Sequence, residues 1–250
     1  MEPQSWLIFG CTVLFSSYLQ TIAGFGMGMI LMAVIGASGS IPLPILTAVV
    51  SLISFANVTL SMKGHLDSID WRILRWLIVG QLPAIVVGVS LITLLDRDWR
   101  WILEVLLGLF ITAGSASMMI KPVSRPTVST PSACVVAGFG GGILGGLFSA
   151  SGPVLGWFVY RQPLAIEVIR STLLCFFAIA TMGRTAIVGL QGGLVADVWL
   201  FTATGLPLVF MGAWLGRWLP PKLSETNLKR GVFCFLFLIG GYILTRGFLR

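Results

Sequence analysis

Gln20-Thr21-Ile22-Ala23-Gly24-Phe25-Gly26-Met27-Gly28 interrupts an uncharged stretch that runs from Trp6 to Gly36. At 31 residues that stretch is long for one membrane span, which needs roughly 20, and short of the roughly 40 that two would take. Glycine in a helix interior costs up to ~1 kcal/mol relative to alanine, so three glycines within five residues predict a break near Gly26. A second stretch, Ser132 to Tyr160, has the same awkward length of 29 residues and carries Gly138-Phe139-Gly140-Gly141-Gly142, which predicts a second break near Gly140. Irregular backbone at membrane depth survives only where protein or a water-filled cavity surrounds it, so each break implies a cavity or an internal site. The same glycines admit another reading. Gly24/Gly28, Gly138/Gly142, Gly142/Gly146 and Gly212/Gly216 all have the G-x-x-x-G spacing of closely packed membrane helices.

Working outward, the 250 residues are 56% hydrophobic and 10% charged, against about 25% charged in an ordinary soluble domain. That balance excludes a water-soluble protein. Six further apolar segments follow the pattern, at Ile41 to Ser61, Trp71 to Leu95, Trp99 to Met119, Leu164 to Leu190, Val195 to Leu215 and Leu228 to Leu244. The expected fold is therefore an all-α, polytopic membrane protein in the lipid bilayer. Lys121 to Pro131 is rich in Pro, Ser and Thr and too short to bury a core, so it reads as a linker between a first membrane repeat, 1–120, and a second, 132–250. MEPQSW at the start lacks the basic region of a signal peptide. The net charge of +7 is spread over loops and helix ends without an aromatic platform, which argues for topological anchoring and against a nucleic-acid partner. Cys11, Cys134, Cys175 and Cys234 are isolated in apolar segments, so no disulfide, metal site or redox cofactor is expected.

The two halves repeat. Ala23-Gly24-Phe25-Gly26 recurs as Ala137-Gly138-Phe139-Gly140, and Ala37-Ser38-Gly39 as Ala150-Ser151-Gly152. LDSIDW at 66–71 matches LVADVW at 194–199, and Gly80, Pro83 and Gly88 match Gly205, Pro207 and Gly212. Repeated halves are a common way of building secondary transporters, with the substrate near the bilayer midplane at the repeat interface. If all eight segments cross, the basic residues split 8 to 8 between the two faces. If the two Gly-interrupted segments are re-entrant hairpins, the split becomes 11 to 5. The positive-inside bias favours the second arrangement, with both termini external and the halves inverted.

At its Gly-Phe-Gly clusters the chain resembles the TauE/SafE, or toluene sulfonate uptake permease, family. The resemblance is carried by Gln20 with Gly24-Phe25-Gly26, by Gly138-Phe139-Gly140-Gly141-Gly142 followed by Ser151-Gly152-Pro153, and by Arg170-Ser171-Thr172. Met27 and Met29 depart from the family's usual glycine or aromatic residue. The resemblance implies a multi-pass inner-membrane carrier of sulfite, sulfonates or similar small anionic substrates, with no enzymatic step and self-association into a homo-oligomer left open.

Arg170 and Arg184 fall inside one apolar segment, where an ionisable side chain is costly enough to mark function. A guanidinium donates parallel hydrogen bonds to an oxyanion, and although either arginine could instead snorkel to an interface, Arg170 is the favoured anion contact and the expected fixed charge of the site, ahead of Arg184. Broken helices add unpaired N–H groups and a positive dipole end. Gln20, Thr21, Asn57, Gln81, Ser149 and Ser151 could complete such a site. No acidic relay, Walker sequence or paired carboxylate points to a pump or an enzyme, and the competing class is a structural or assembly subunit of a membrane complex.

Overall fold

The computed structural model of the protein describes residues 3–62, 68–120, 123–219 and 225–248. Lys63, His65, Asp67, Lys121, Lys222 and Arg250, in loop or terminal positions of the sequence, lie outside the described residues. Within the described residues the chain is all-helical, with α1 (Pro3–Ala23), α2 (Met27–Ser38), α3 (Leu43–Met62), α4 (Trp71–Asp98), α5 (Arg100–Met119), α6 (Pro131–Phe148), α7 (Gly152–Tyr160), α8 (Ile166–Leu190), α9 (Ala196–Trp218) and α10 (Glu225–Phe248). Eight of these are long and apolar enough to cross a membrane, and α2 and α7 are the short ones. Large apolar side chains such as Val79, Leu82, Val86, Phe210, Phe235 and Leu238 face outward, as they would toward lipid. Exposed Trp71, Trp99, Trp101, Trp199 and Trp218 sit within about a turn of helix ends, the level at which tryptophan anchors a span.

Small residues set the packing. α4 and α6 run side by side in the same direction, with Gly80 against Val135, Gly142 against Gln81 and Ala84, and Gly146 against Ile85 and Gly88. A Cβ at Gly142 or Gly146 would come within 2.6 Å of a carbonyl oxygen on α4, so neither position has room for a side chain. α1 and α9 pack in the same parallel sense, through Gly205 on Phe9, Gly212 on Leu14 and Ser17, and Gly216 on Tyr18 and Thr21. α5 and α10 run in opposite directions, with Gly108 beside Leu244 and Gly240 beside Thr112. α3 and α8 also meet, the end of α8 lying against the start of α3.

The first interrupted segment breaks where its glycines predict. α1 stops at Ala23, and α2 begins at Met27 after Gly24 (φ 80°) and Gly26 (φ 114°), backbone conformations that a side chain disfavours. The second differs from expectation, because helix is unbroken through Gly138, Gly140 and Gly142. The break falls at Ser149-Ala150-Ser151 instead, with Ser149 at φ 53°. Two physical reasons account for the correction. The α6 glycines are spent on close approach to α4, the alternative G-x-x-x-G reading. Pro153 cannot donate to the Ser149 carbonyl, and its ring would crowd that carbonyl, so continuing the helix past Phe148 is disfavoured.

In both cases the short helix folds back. The carbonyl of Arg161, just past α7, accepts from Arg125 N at 2.8 Å, in the segment that leads into α6. Gln162 likewise accepts from Ser129 N at 2.9 Å. The carbonyl of Ala37 near the end of α2 accepts from Arg246 at the end of α10, beside the start of α3. α2 is buried on nearly every face, from Met27 to Ile35, which places it inside the protein and away from lipid.

Candidate functional site

The two breaks meet inside the bundle. A Cβ at Gly28 would lie 2.5 Å from the Ser149 carbonyl oxygen and 3.1 Å from Ala150 Cβ, and one at Gly152 would lie 3.8 Å from Gly26 N. Glycine at 28 is what lets the start of α2 reach the second break. Phe25, carried between Gly24 and Gly26, spreads over Gly152 and Gly156 and stacks on Phe233 at 6.1 Å.

A cavity occupies this junction, walled by both breaks and by side chains of α3, α4, α8 and α10. About 40 Å³ of it can hold the centres of water molecules, some three times the ~10–15 Å³ that one water requires. That is room on the scale of a small oxyanion. The first turns of α2 and α7 both open onto it through Gly26, Gly28 and Met29 and through Ser151, Gly152 and Pro153. A first turn has N–H groups without an intrahelical carbonyl and carries the equivalent of roughly half a positive charge. Gln20 Oε1 takes up one of these groups, accepting from Met27 N at 3.1 Å.

Among the described residues Arg184 is the one charged side chain in the cavity wall. It is 2% exposed. Its Nε donates to the Gly146 carbonyl at 3.1 Å, and its Nη1 to the Thr47 carbonyl at 2.9 Å and to Ser51 Oγ at 2.8 Å. Ser51 in turn shares a 2.8 Å hydrogen bond with Ser149, so the arginine is tied to the second break. Among the described residues it forms no ion pair, and no carboxylate lines the cavity. Such a buried cation is expensive without a counter-charge. Gln81, fully buried, has neither amide atom hydrogen-bonded to the protein, and Ser54 Oγ is also unpartnered. Buried polar groups left over in this way call for water or a ligand.

Of the residues singled out from sequence, Gln20, Phe25, Gly26, Gln81, Ser149, Ser151, Gly152, Pro153 and Arg184 line the cavity, and Gly24 adjoins it in the first break. Gly138, Phe139, Gly140 and Gly141 do not, because the break they were expected to form lies further along. Gly138 packs on Leu77, Gly141 on Leu155, Gly140 faces Val154, and Phe139 is exposed. Arg170 also stays out of the wall: it is half-buried, with its stem against Gly24 behind the first break. Thr21 bonds Ser17 and Ser61, and Asn57 bonds Ser17, so both hold helices together. Ser51, Ser54 and Thr181 were missed; they are ordinary helix residues in sequence, and only packing against Arg184 or the cavity distinguishes them.

Comparison with known proteins places this architecture. A profile of the sulfite exporter TauE/SafE family matches residues 8–243. The chain belongs to the TauE/SafE family. Among its relatives is the "Probable sulfite/organosulfonate exporter TauE" of Cupriavidus necator, 37% identical over 228 residues that cover 91% of this chain and 89% of the relative. No solved structure matches the chain. The protein is a multi-pass membrane transporter of small anions, and the cavity holding Arg184 is its candidate anion site.

Proposed function

We propose that the protein moves sulfite or a short organosulfonate out of the cell across the inner membrane, using the cavity at the two helix breaks as its substrate site. The observation that carries this reading is Arg184, a buried cation with no counter-charge among the described residues, where two helix N-termini converge. An oxyanion seated there completes the charge balance. Its lost hydration is replaced by the first-turn N–H groups, by the Gln81 amide that is left without a partner, and by the nearby Arg184 charge. The names of the relative and of the family support the substrate and the outward direction.

Alternating access follows from two inverted repeats, 1–120 and 132–250, joined by 121–131. The contact pattern supports this division. α4 packs on α6 as α9 does on α1, and α3 meets α9 as α8 meets α4, while α3 and α8, like α5 and α10, pair with each other. The fold-back of α2 and α7 supports two hairpins entering from opposite ends. On that topology Arg72, Arg75, Arg125, Arg161, Arg170, Arg217 and Arg230 gather at one end, and Arg97, Arg100, Arg184 and Arg246 toward the other. The richer end is cytoplasmic and both termini are periplasmic.

The test is flux. Purified protein in liposomes preloaded with sulfite or methanesulfonate should release either anion faster than protein-free vesicles, and equal rates would refute the assignment. A reporter fused at the C-terminus should give a periplasmic signal, and a cytoplasmic one overturns the topology.

A further inference from the structure

We infer that the cavity selects singly charged oxyanions, hydrogensulfite or a sulfonate, over doubly charged ones such as sulfite dianion or sulfate, and that Gln81 is a substrate-contacting residue in that choice. The inference rests on the cavity being the transport site.

The charge inventory is short. Arg184 on α8 brings one formal charge, and no titratable side chain from α1, α2, α3, α4, α6, α7 or α10 joins it among the described residues of the wall. The polar remainder is neutral: Gln20, Ser54, Gln81, Ser149, Ser151 and Thr181. Part of the available field is already committed, since Arg184 donates to two backbone carbonyls and Gln20 caps Met27 N.

Desolvation grows with the square of an ion's charge, whereas its attraction to a fixed field grows only in proportion. Doubling the charge therefore costs about four times the desolvation for about twice the attraction. A site whose field just repays dehydration of a monoanion would need about three times that field before it preferred the dianion. One guanidinium and two partly used helix ends do not reach that. A second cation would be the natural device for a dianion, and position 81, facing the cavity from α4, carries an amide instead.

Gln81 is suited to a monoanion. Its Nε2 offers donors to substrate oxygens, and its Oε1 offers an acceptor that no oxyanion oxygen can use. The hydrogen retained by hydrogensulfite can use it. Both atoms are buried and unpartnered, so a ligand of this kind would satisfy them together.

The experiment compares three anions in proteoliposomes with equal pH on both faces. Methanesulfonate is a monoanion throughout, sulfate is a dianion throughout, and sulfite passes from one to the other near neutral pH. Between about pH 6 and pH 8, at subsaturating total concentration, the sulfite rate should fall roughly eightfold with the monoanion fraction. Methanesulfonate flux should hold constant, and sulfate should neither move nor compete. Sulfite flux that is flat or rising overturns the inference, as does sulfate competing as well as methanesulfonate. A parallel fall for sulfite and methanesulfonate also overturns it, because the proton then acts on the protein. Gln81→Lys adds the missing second charge and should make sulfate a competitor; if that variant does not insert, the native pH series decides alone. A preparation that moves none of the three refutes the transport reading on which the inference stands.

Discussion

Replacing Arg184 by glutamine removes the one formal charge that the described residues bring to the cavity wall while keeping a side chain able to hydrogen-bond. A unit charge about 4 Å from an anion contributes about 4 kcal/mol at the effective dielectric of roughly 20 that suits protein sites. At about 1.4 kcal/mol per decade that is nearly a thousandfold in affinity. Water sharing the cavity lowers the figure, so the expected rise in KM for sulfite or methanesulfonate is on the order of a hundredfold to a thousandfold. Stability should move far less. The Thr47 and Gly146 carbonyls that lose a donor lie inside helices, so the expected cost is roughly 1–3 kcal/mol. Arg184→Lys keeps the charge without the planar fork and should recover most, though not all, of the affinity. Initial efflux rates from proteoliposomes, read beside the thermal unfolding of the same preparations in detergent, separate the two effects. Near-native KM in a well-folded Arg184→Gln protein would mean that the guanidinium only clamps α3, α6 and α8, and the site assignment would fail.

Three further outcomes follow from the geometry. Gly146→Val places a side chain where even a Cβ would come 2.6 Å from the Ile85 carbonyl and 2.7 Å from Gly88 Cα; forcing α4 and α6 apart should cost about 1–3 kcal/mol or more, visible as a lowered unfolding midpoint. Gly26→Ala meets no atom within 4 Å yet sits at φ 114°, so it should lose about 1–2 kcal/mol through backbone strain alone. Gly140→Ala, in regular helix with its nearest contact at 4.0 Å, should be neutral or stabilise by up to ~1 kcal/mol, and equal losses for the two variants would contradict the placement of the breaks. Arg170→Gln, outside the cavity wall, should leave KM within about threefold of the native value, a change worth under about 1 kcal/mol; a hundredfold rise would return the anion contact to Arg170.

The sequence by itself determined the class, because burying so few charges in so many apolar segments has no aqueous solution. It also determined the first break, since Gly24 and Gly26 take up positive φ values that a side chain would resist. The resemblance of its motifs to one family followed from order and spacing alone. The second break could not be placed that way. Glycine lowers the cost both of leaving a helix and of bringing two helices together, and which use prevails depends on the neighbour. For Gly138, Gly142 and Gly146 that neighbour is α4, some sixty residues away in the chain, so packing won and the turn moved to Ser149. The local signal that does mark the turn is Pro153. Between the two arginines of α8 the sequence favours Arg170 over Arg184 as the anion contact, although both lie in one helix and either could reach an interface. Tertiary structure instead places Arg184 at the junction of the two breaks and Arg170 behind the first, a matter of helix face and depth that one-dimensional spacing does not encode.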